Sequence, residues 1–215
     1  MLYDLDRTLK ALLLHELPRE LLGPDIPISI GFATPDDQFP PASFVLPALN
    51  LFLYDVQENV ALRSPEARSE RQDDGSVLVQ RPPAWVDCHY LVTAHARDGA
   101  QSPQVDEHLL LGEALQALLR HRRLPAGFLQ GRLQGKEPLP RTRVVLPESL
   151  RHGAELWSAL RGRLRPSFHY TVTMAVELAA PETAGPLVTR EGGVQLTLHP
   201  RVVPSMSGDG STGNA

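Results

Sequence analysis

Apolar positions recur along this chain in two rhythms. Between Asp4 and Leu17, Leu5, Leu9, Leu12 and Leu13 fall three and four residues apart, with Asp6, Arg7, Lys10 and Glu16 largely between them. That spacing predicts an amphipathic helix over 4–17, capped by Asp4 and stopped by Pro18. Gln104 to His121 repeats the rhythm in Leu110, Leu111, Ala114, Leu115, Leu118 and Leu119. Pro147 to Leu160 predicts a third helix, with Pro at its start and Glu148 in its first turn, where the helix dipole favours an acid.

Alternation at every second residue marks the strands. Ala48–Asn59 (ALNLFLYDVQEN) is apolar on both faces at first and polar toward Glu58, which places its beginning in a sheet interior. In Trp85–Ala96 (WVDCHYLVTAHA), Val86, Cys88, Tyr90 and Val92 take one face, and Trp85, Asp87, His89, Leu91 and Thr93 the other. Phe168–Leu178 is a third long strand. Ile26–Phe32, Leu139–Leu146 and Val194–Leu198 predict short ones, the last at an edge. Gln38–Pro47, holding Pro40, Pro41 and Pro47, reads as an ordered loop. From Arg63 to Gln80 the chain is charged, with Asp74-Gly75 as a type I′ turn signal and Val77 and Val79 alternating after it; this predicts a polar hairpin arm. The order of elements implies an α+β fold: a single mixed, mainly antiparallel sheet with about three helices packed on it and a protruding β-hairpin. Residues 1–200 form one domain in this reading, and the Ser/Gly-rich 201–215 a disordered tail.

Charge alters that picture, because it is unevenly spread. Residues 1–119 hold 18 acids against 8 bases, a net of −10, whereas 120–165 hold 11 bases against 3 acids, a net of +8. An acidic region beside a basic one supplies the two different patches that head-to-tail ring assembly requires. Arg outnumbers Lys 19 to 2, and Arg is the residue suited to planar, two-pronged pairing with carboxylates. Aromatics are 6%, too few to advertise a stacking platform for nucleic-acid bases. A single cysteine excludes an internal disulfide, the charged start (MLYDLDRTLK) does not read as a signal peptide, and no window approaches a membrane span. Synthesis in the cytoplasm, without membrane contact, is the expectation.

Candidate chemistry is sparse. Asp87-Cys88-His89 looks like a nucleophile beside a base, but strand neighbours point to opposite faces, so Cys88 reads as a buried, inert thiol. Asp87 and His89 share a face about 7 Å apart, which suits an orientation pair or plain surface residues; a metal would need a third ligand. The eight histidines are scattered, and the chain has no GxxxxGK[ST], GxGxxG, GxSxG or HExxH. Neither a catalytic set nor a cofactor is expected.

Several strings do carry a family likeness: Tyr3-Asp4-Leu5-Asp6 opening the first helix, Pro47 to Val56 (PALNLFLYDV), Arg81-Pro82-Pro83, Asp87 to Thr93 (DCHYLVT), Glu107-His108 with Leu111-Gly112, Leu156 to Leu160 (LWSAL) and Arg165 to Thr173 (RPSFHYTVT). In order and spacing the chain resembles the tail-terminator, or cap, proteins of phage-tail-like contractile injection systems of the virulence-cassette and antifeeding-prophage type, over roughly residues 1–190. The resemblance implies a structural role: a homohexameric ring at the end distal to the baseplate, ending inner-tube growth and joining the last sheath layer. The partners it implies are a second copy, the tube protein and the sheath protein, in a particle kept inside the cell or released. Some members carry further C-terminal domains, and this chain reads as the core domain. Within such a ring, Arg120, Arg122, Arg123, Arg161 and Arg163 are expected to meet acids of the next subunit, with Asp36, Asp37, Asp73 and Asp74 as candidates. Two other classes stay open: a small metal-dependent enzyme centred on Asp87 and His89, and a nucleic-acid-binding module using the Arg-rich 120–165 block.

Overall fold

Three long antiparallel strands carry the fold. In the computed structural model, which describes residues 1–23, 26–41, 44–73, 76–144 and 153–184, β2 (Ala48–Glu58), β5 (Ala84–His95) and β7 (Ser167–Val176) pair along most of their lengths. The short β1 (Ser29–Gly31) adds in parallel beside β2, and β6 (Arg141–Arg143) adds antiparallel beside β7, giving the order β1-β2-β5-β7-β6. A second sheet holds β3 (Arg68–Arg71), β4 (Val77–Gln80) and β8 (Glu182–Ala184). The expected α+β class and the three long strands are therefore present. The hairpin is present too, but β8 pairs with it, so it is one wall of a small sheet rather than a lone arm. Its tip at Asp74-Gly75, the start of the third helix at Pro147, the edge strand at Val194–Leu198 and the tail after Pro204 lie outside the described residues.

The apolar face of the main sheet makes the core. Cys88, Tyr90 and Val92 of β5, Leu49 and Leu51 of β2, and Tyr170, Val172 and Met174 of β7 point the same way and are buried. Two helices cover them: α1 (Leu2–Glu16) through Leu5, Leu9, Leu12 and Leu13, and α2 (Pro103–Arg120) through Leu110, Ala114, Ala117 and Leu118. Tyr90 crosses the layer to donate to Asp6 Oδ1 at 2.9 Å, so its phenol is satisfied in the core. Helix α1 begins earlier than expected, and Asp4 lies inside its first turn rather than at the cap. At its far end Leu17 turns to extended backbone before Pro18. On α2 the six-residue apolar stripe is only partly right, since Leu119 is exposed. At about 100° per residue, the face that buries Leu118 and Leu110 turns Leu119 to solvent.

The other face of the sheet is polar yet buried, and it anchors the loops. Asn50 donates through Nδ2 to the Ala33 carbonyl at 2.8 Å and accepts the Ala33 N–H at 2.9 Å, clamping the segment after β1. His95 accepts from Arg165 Nη1 at its Nδ1 (2.6 Å), so its proton sits on Nε2 and is donated to Thr93 Oγ1 (3.0 Å). Arg165 also reaches Glu107 on α2 at 3.5 Å. Helix α3 (Gly153–Ala159) closes over this side with Trp157 buried. Beyond it the chain turns at Arg161, a non-glycine residue in the left-handed region (φ 53°), and the Gly162 N–H returns to the Trp157 carbonyl at 3.1 Å. A Cβ on Gly162 would stand 2.4 Å from the Pro35 carbonyl, so only glycine fits between α3 and that loop.

Two outcomes follow from this layering. Leu110 and Leu109 are neighbours on α2, 0% and 44% exposed respectively. Leu110→Ala is expected to cost about 2–5 kcal/mol in urea unfolding, and Leu109→Ala less than about 1 kcal/mol. Burial, with the Arg165 charge beside it, pushes the His95 pKa down to about 3. The unfolded chain takes up that proton near pH 6.5 while the native state stays neutral. The resulting stability is intact above pH 6.5 and is lost as pH falls from there toward 3, by up to about 1.4 kcal/mol per pH unit. Burial lowers His89 and His169 in the same direction. In unfolding titrations at pH 7.5 and 4.5, His95→Gln is therefore expected to narrow the difference between the two pH values, and an unchanged difference would show that His95 is not held neutral.

Candidate functional site

On the polar face, Asp87 and His89 are buried rather than at the surface, and each is turned to its own partners across the sheet. Thr173 Oγ1 donates to Asp87 Oδ1, while Asn59 Nδ2 (3.0 Å) and Arg143 Nη2 (3.1 Å) donate to Oδ2. His89 Nδ1 pairs with Thr171 Oγ1 at 2.9 Å, and His169 Nδ1 with the Tyr54 hydroxyl at 2.9 Å. Asp87 and His89 thus share a face as the alternation predicts, yet they bond to neighbouring elements and not to each other: His89 to β7, and Asp87 to β7, to β6 and to Asn59 after β2. Among the described residues no group of three His, Cys, Asp or Glu side chains is placed to hold a metal ion. Cys88 lies on the opposite, apolar face, where burial pushes its thiol up to about 12, and it remains protonated at neutral pH. These contacts satisfy buried polar groups and tie β5 to its neighbours.

Two of the surface clefts are lined with several arginines each. The larger, of about 920 Å³, runs between the end of α2, β6 and the turn after β2. Arg122, Arg123, Arg141 and Arg143 line it, with Leu62 and Leu119 among its apolar walls. The backbone brings these groups together: the Thr142 N–H donates to the Arg122 carbonyl at 3.0 Å, and Arg123 bridges to Arg141. Arg143 is held by Asp87, and Arg141 lies over the Trp85 ring at 5.4 Å. Arg122 and Arg123 are exposed and make no ion pair among the described residues. The smaller cleft, about 370 Å³, is lined by Asp36, Asp37, Arg161, Arg163 and Arg165, with Phe39, His95 and Trp157.

The residues nominated from sequence therefore divide. Arg120 is exposed but already pairs with Glu16 at 3.1 Å. Arg122 and Arg123 share the large cleft. Arg161 and Arg163 share the small one with Asp36 and Asp37 of the same chain. Asp73 is exposed at the end of the β3–β4 hairpin, and Asp74 lies outside the described residues. Sequence reasoning did not single out Arg141, Arg143 or Arg165. The signal for the first two was present: residues two apart on a strand share a face, and Arg141 and Arg143 are two apart.

Comparison with known proteins places this geometry. No curated protein matches the chain. Among solved structures, it resembles the sheath/tube terminator, in the extended state, of an extracellular contractile injection system termed PVC, with a TM-score of 0.58 and 23% identity. It likewise resembles the tube-terminating cap of the anti-feeding prophage, with a TM-score of 0.57 and 22% identity. The first alignment covers all of this chain and 65% of that one; the second covers 88% of this chain and 60% of that one. At these identities the likeness is one of fold, and the chain spans less than two thirds of either protein's length. Among the described residues no helix is long and apolar enough to cross a membrane. A model of the Pvc16 N-terminal domain matches residues 4–190, so the α+β layer, its polar buried face and its arginine clefts belong to a member of the Pvc16 N-terminal domain family.

Proposed function

We propose that this chain is a structural, non-enzymatic cap of a contractile injection system. Residues 1–200 act as one unit, six copies form a ring at the end distal to the baseplate, and the ring ends inner-tube polymerisation and joins the terminal sheath layer. The observation that carries the reading is the fold shared, over the whole chain, with a protein described as a sheath/tube terminator. The site supports it. Asp87, His89 and His95 are hydrogen-bonded into the sheet, and the exposed arginines gather in clefts instead of around a reactive group. Partners are a second copy, the tube protein and the sheath protein, recognised by surface fit; nucleic acid and membrane have no part.

The physical demand on a cap is a surface that binds the last tube layer and offers nothing on which the next can add. Charge complementarity sets orientation and encounter rate at such contacts, while apolar area supplies most of the holding energy. Val105, Leu109 and Leu119 of α2 are exposed and supply apolar area, Leu119 on the wall of the large cleft itself.

Removing this protein from cells that assemble the particle is expected to give inner tubes of unregulated length in electron micrographs, and restoring the full chain to give uniform, capped ends. A chain lacking residues 66–80 is expected to keep the main-sheet fold by circular dichroism and yet fail to restore capping. Uniform tube lengths in the complete absence of the protein would defeat the proposal.

A further inference from the structure

We infer that the large cleft receives the acidic tip of the β3–β4 hairpin from a second copy of this chain. Four guanidinium groups, Arg122, Arg123, Arg141 and Arg143, line one concave surface. Among the described residues the one carboxylate that pairs with them is Asp87, on Arg143. Ring contact with Trp85 leaves the charge of Arg141 in place, and Arg122 and Arg123 have no partner among the described residues. Like charges gathered this closely repel unless an anion joins them, and arginine forks are shaped for carboxylates.

The cleft also indicates the kind of anion. Aliphatic Leu62 and Leu119 are on its walls, and among the described residues the imidazole of His121 is the one aromatic ring that lines it, so it offers a nucleic-acid base no Phe, Tyr or Trp platform. A polypeptide bearing carboxylates suits both the charge and the walls. Of the described acids nominated for intersubunit contact, Asp36 and Asp37 share a cleft with Arg161, Arg163 and Arg165 of their own chain. Asp73 is exposed, without a partner among the described residues, beside the turn that the Gln72 N–H closes onto the Ser76 carbonyl at 2.9 Å. Asp74 follows it in sequence, and Glu70 is exposed on the same hairpin. A two-stranded tip is narrow enough to enter a cleft, and placing it in another copy joins two different patches, the arrangement from which head-to-tail rings close. The source of the hairpin rests on the ring reading; the affinity of the cleft for that tip does not.

Two experiments separate these levels. A fluorescent synthetic peptide of residues 66–80 is titrated into the full chain at low ionic strength and followed by anisotropy. Saturable binding is expected, weakened by salt and reduced about tenfold or more by Arg122→Glu with Arg123→Glu, in a protein whose circular dichroism is unchanged. Absence of binding to the natural chain, equal binding to the reversed one, or tighter binding of a single-stranded 15-nucleotide DNA in place of the peptide would overturn the inference. In assembling cells, R122E/R123E and D73R/D74R are each expected to abolish capping, and the chain carrying all four changes to recover it. Capping by either pair alone, or a fourfold chain that folds but stays inactive, contradicts the hairpin as occupant. Peptide binding with normal tube lengths in the absence of the protein would instead keep the cleft's specificity and remove the cap reading.

Discussion

The structure depends on a sheet that is buried on both faces by different means. On one face Leu49, Leu51, Tyr90, Val92, Tyr170 and Val172 are covered by the leucines of α1 and α2, so removal of apolar surface from water drives that layer together. On the other, Asn50, Asp87, His89, His95, Thr171 and Thr173 are equally withdrawn from water but hydrogen-bonded. A buried polar group without a partner costs more than a satisfied one returns, so each of these bonds specifies which loop or strand must lie beside it. The apolar face thus supplies stability, and the polar face supplies position.

That division explains where the arginines end up. Arg143 is tied to Asp87, and Arg165 to His95 and Glu107; both bonds run from the polar face to the rim. Arg122 and Arg123, which have no such ties among the described residues, stand beside Arg143 in the large cleft, held by the backbone bridge between the end of α2 and β6. The charge left over at the surface is therefore localised by the fold. Acids of the same chain share the cleft of the other group, where Asp36 and Asp37 line the same concavity as Arg161 and Arg163. The basic block is one feature along the sequence and two in space.

Much of the fold was legible because period-two and period-3.6 patterns were long and uninterrupted. The strand alternation assigned Cys88 and Tyr90 to one face and Asp87 and His89 to the other, as observed. What alternation could not tell was that the second face is buried; polar side chains on a strand ordinarily imply solvent, and the partners that reveal otherwise come from β7, from β6 and from loops distant in sequence. The hairpin was readable from its turn signal, but β8 was not, since three residues of Glu182–Ala184 carry no period. The arginine clefts were the least legible. They join residues from the end of α2, β6 and the segment after α3, and such long-range convergence leaves no local trace.

The most direct test of the central claim, that this fold works by fit at the end of a tube, is the structure of the particle's distal end. A cryo-electron-microscopic reconstruction of particles carrying the natural chain is predicted to show six copies in a ring on the last tube layer, with contacts to the terminal sheath layer. Density for the chain elsewhere on the particle, or a distal end closed without it, would contradict the account.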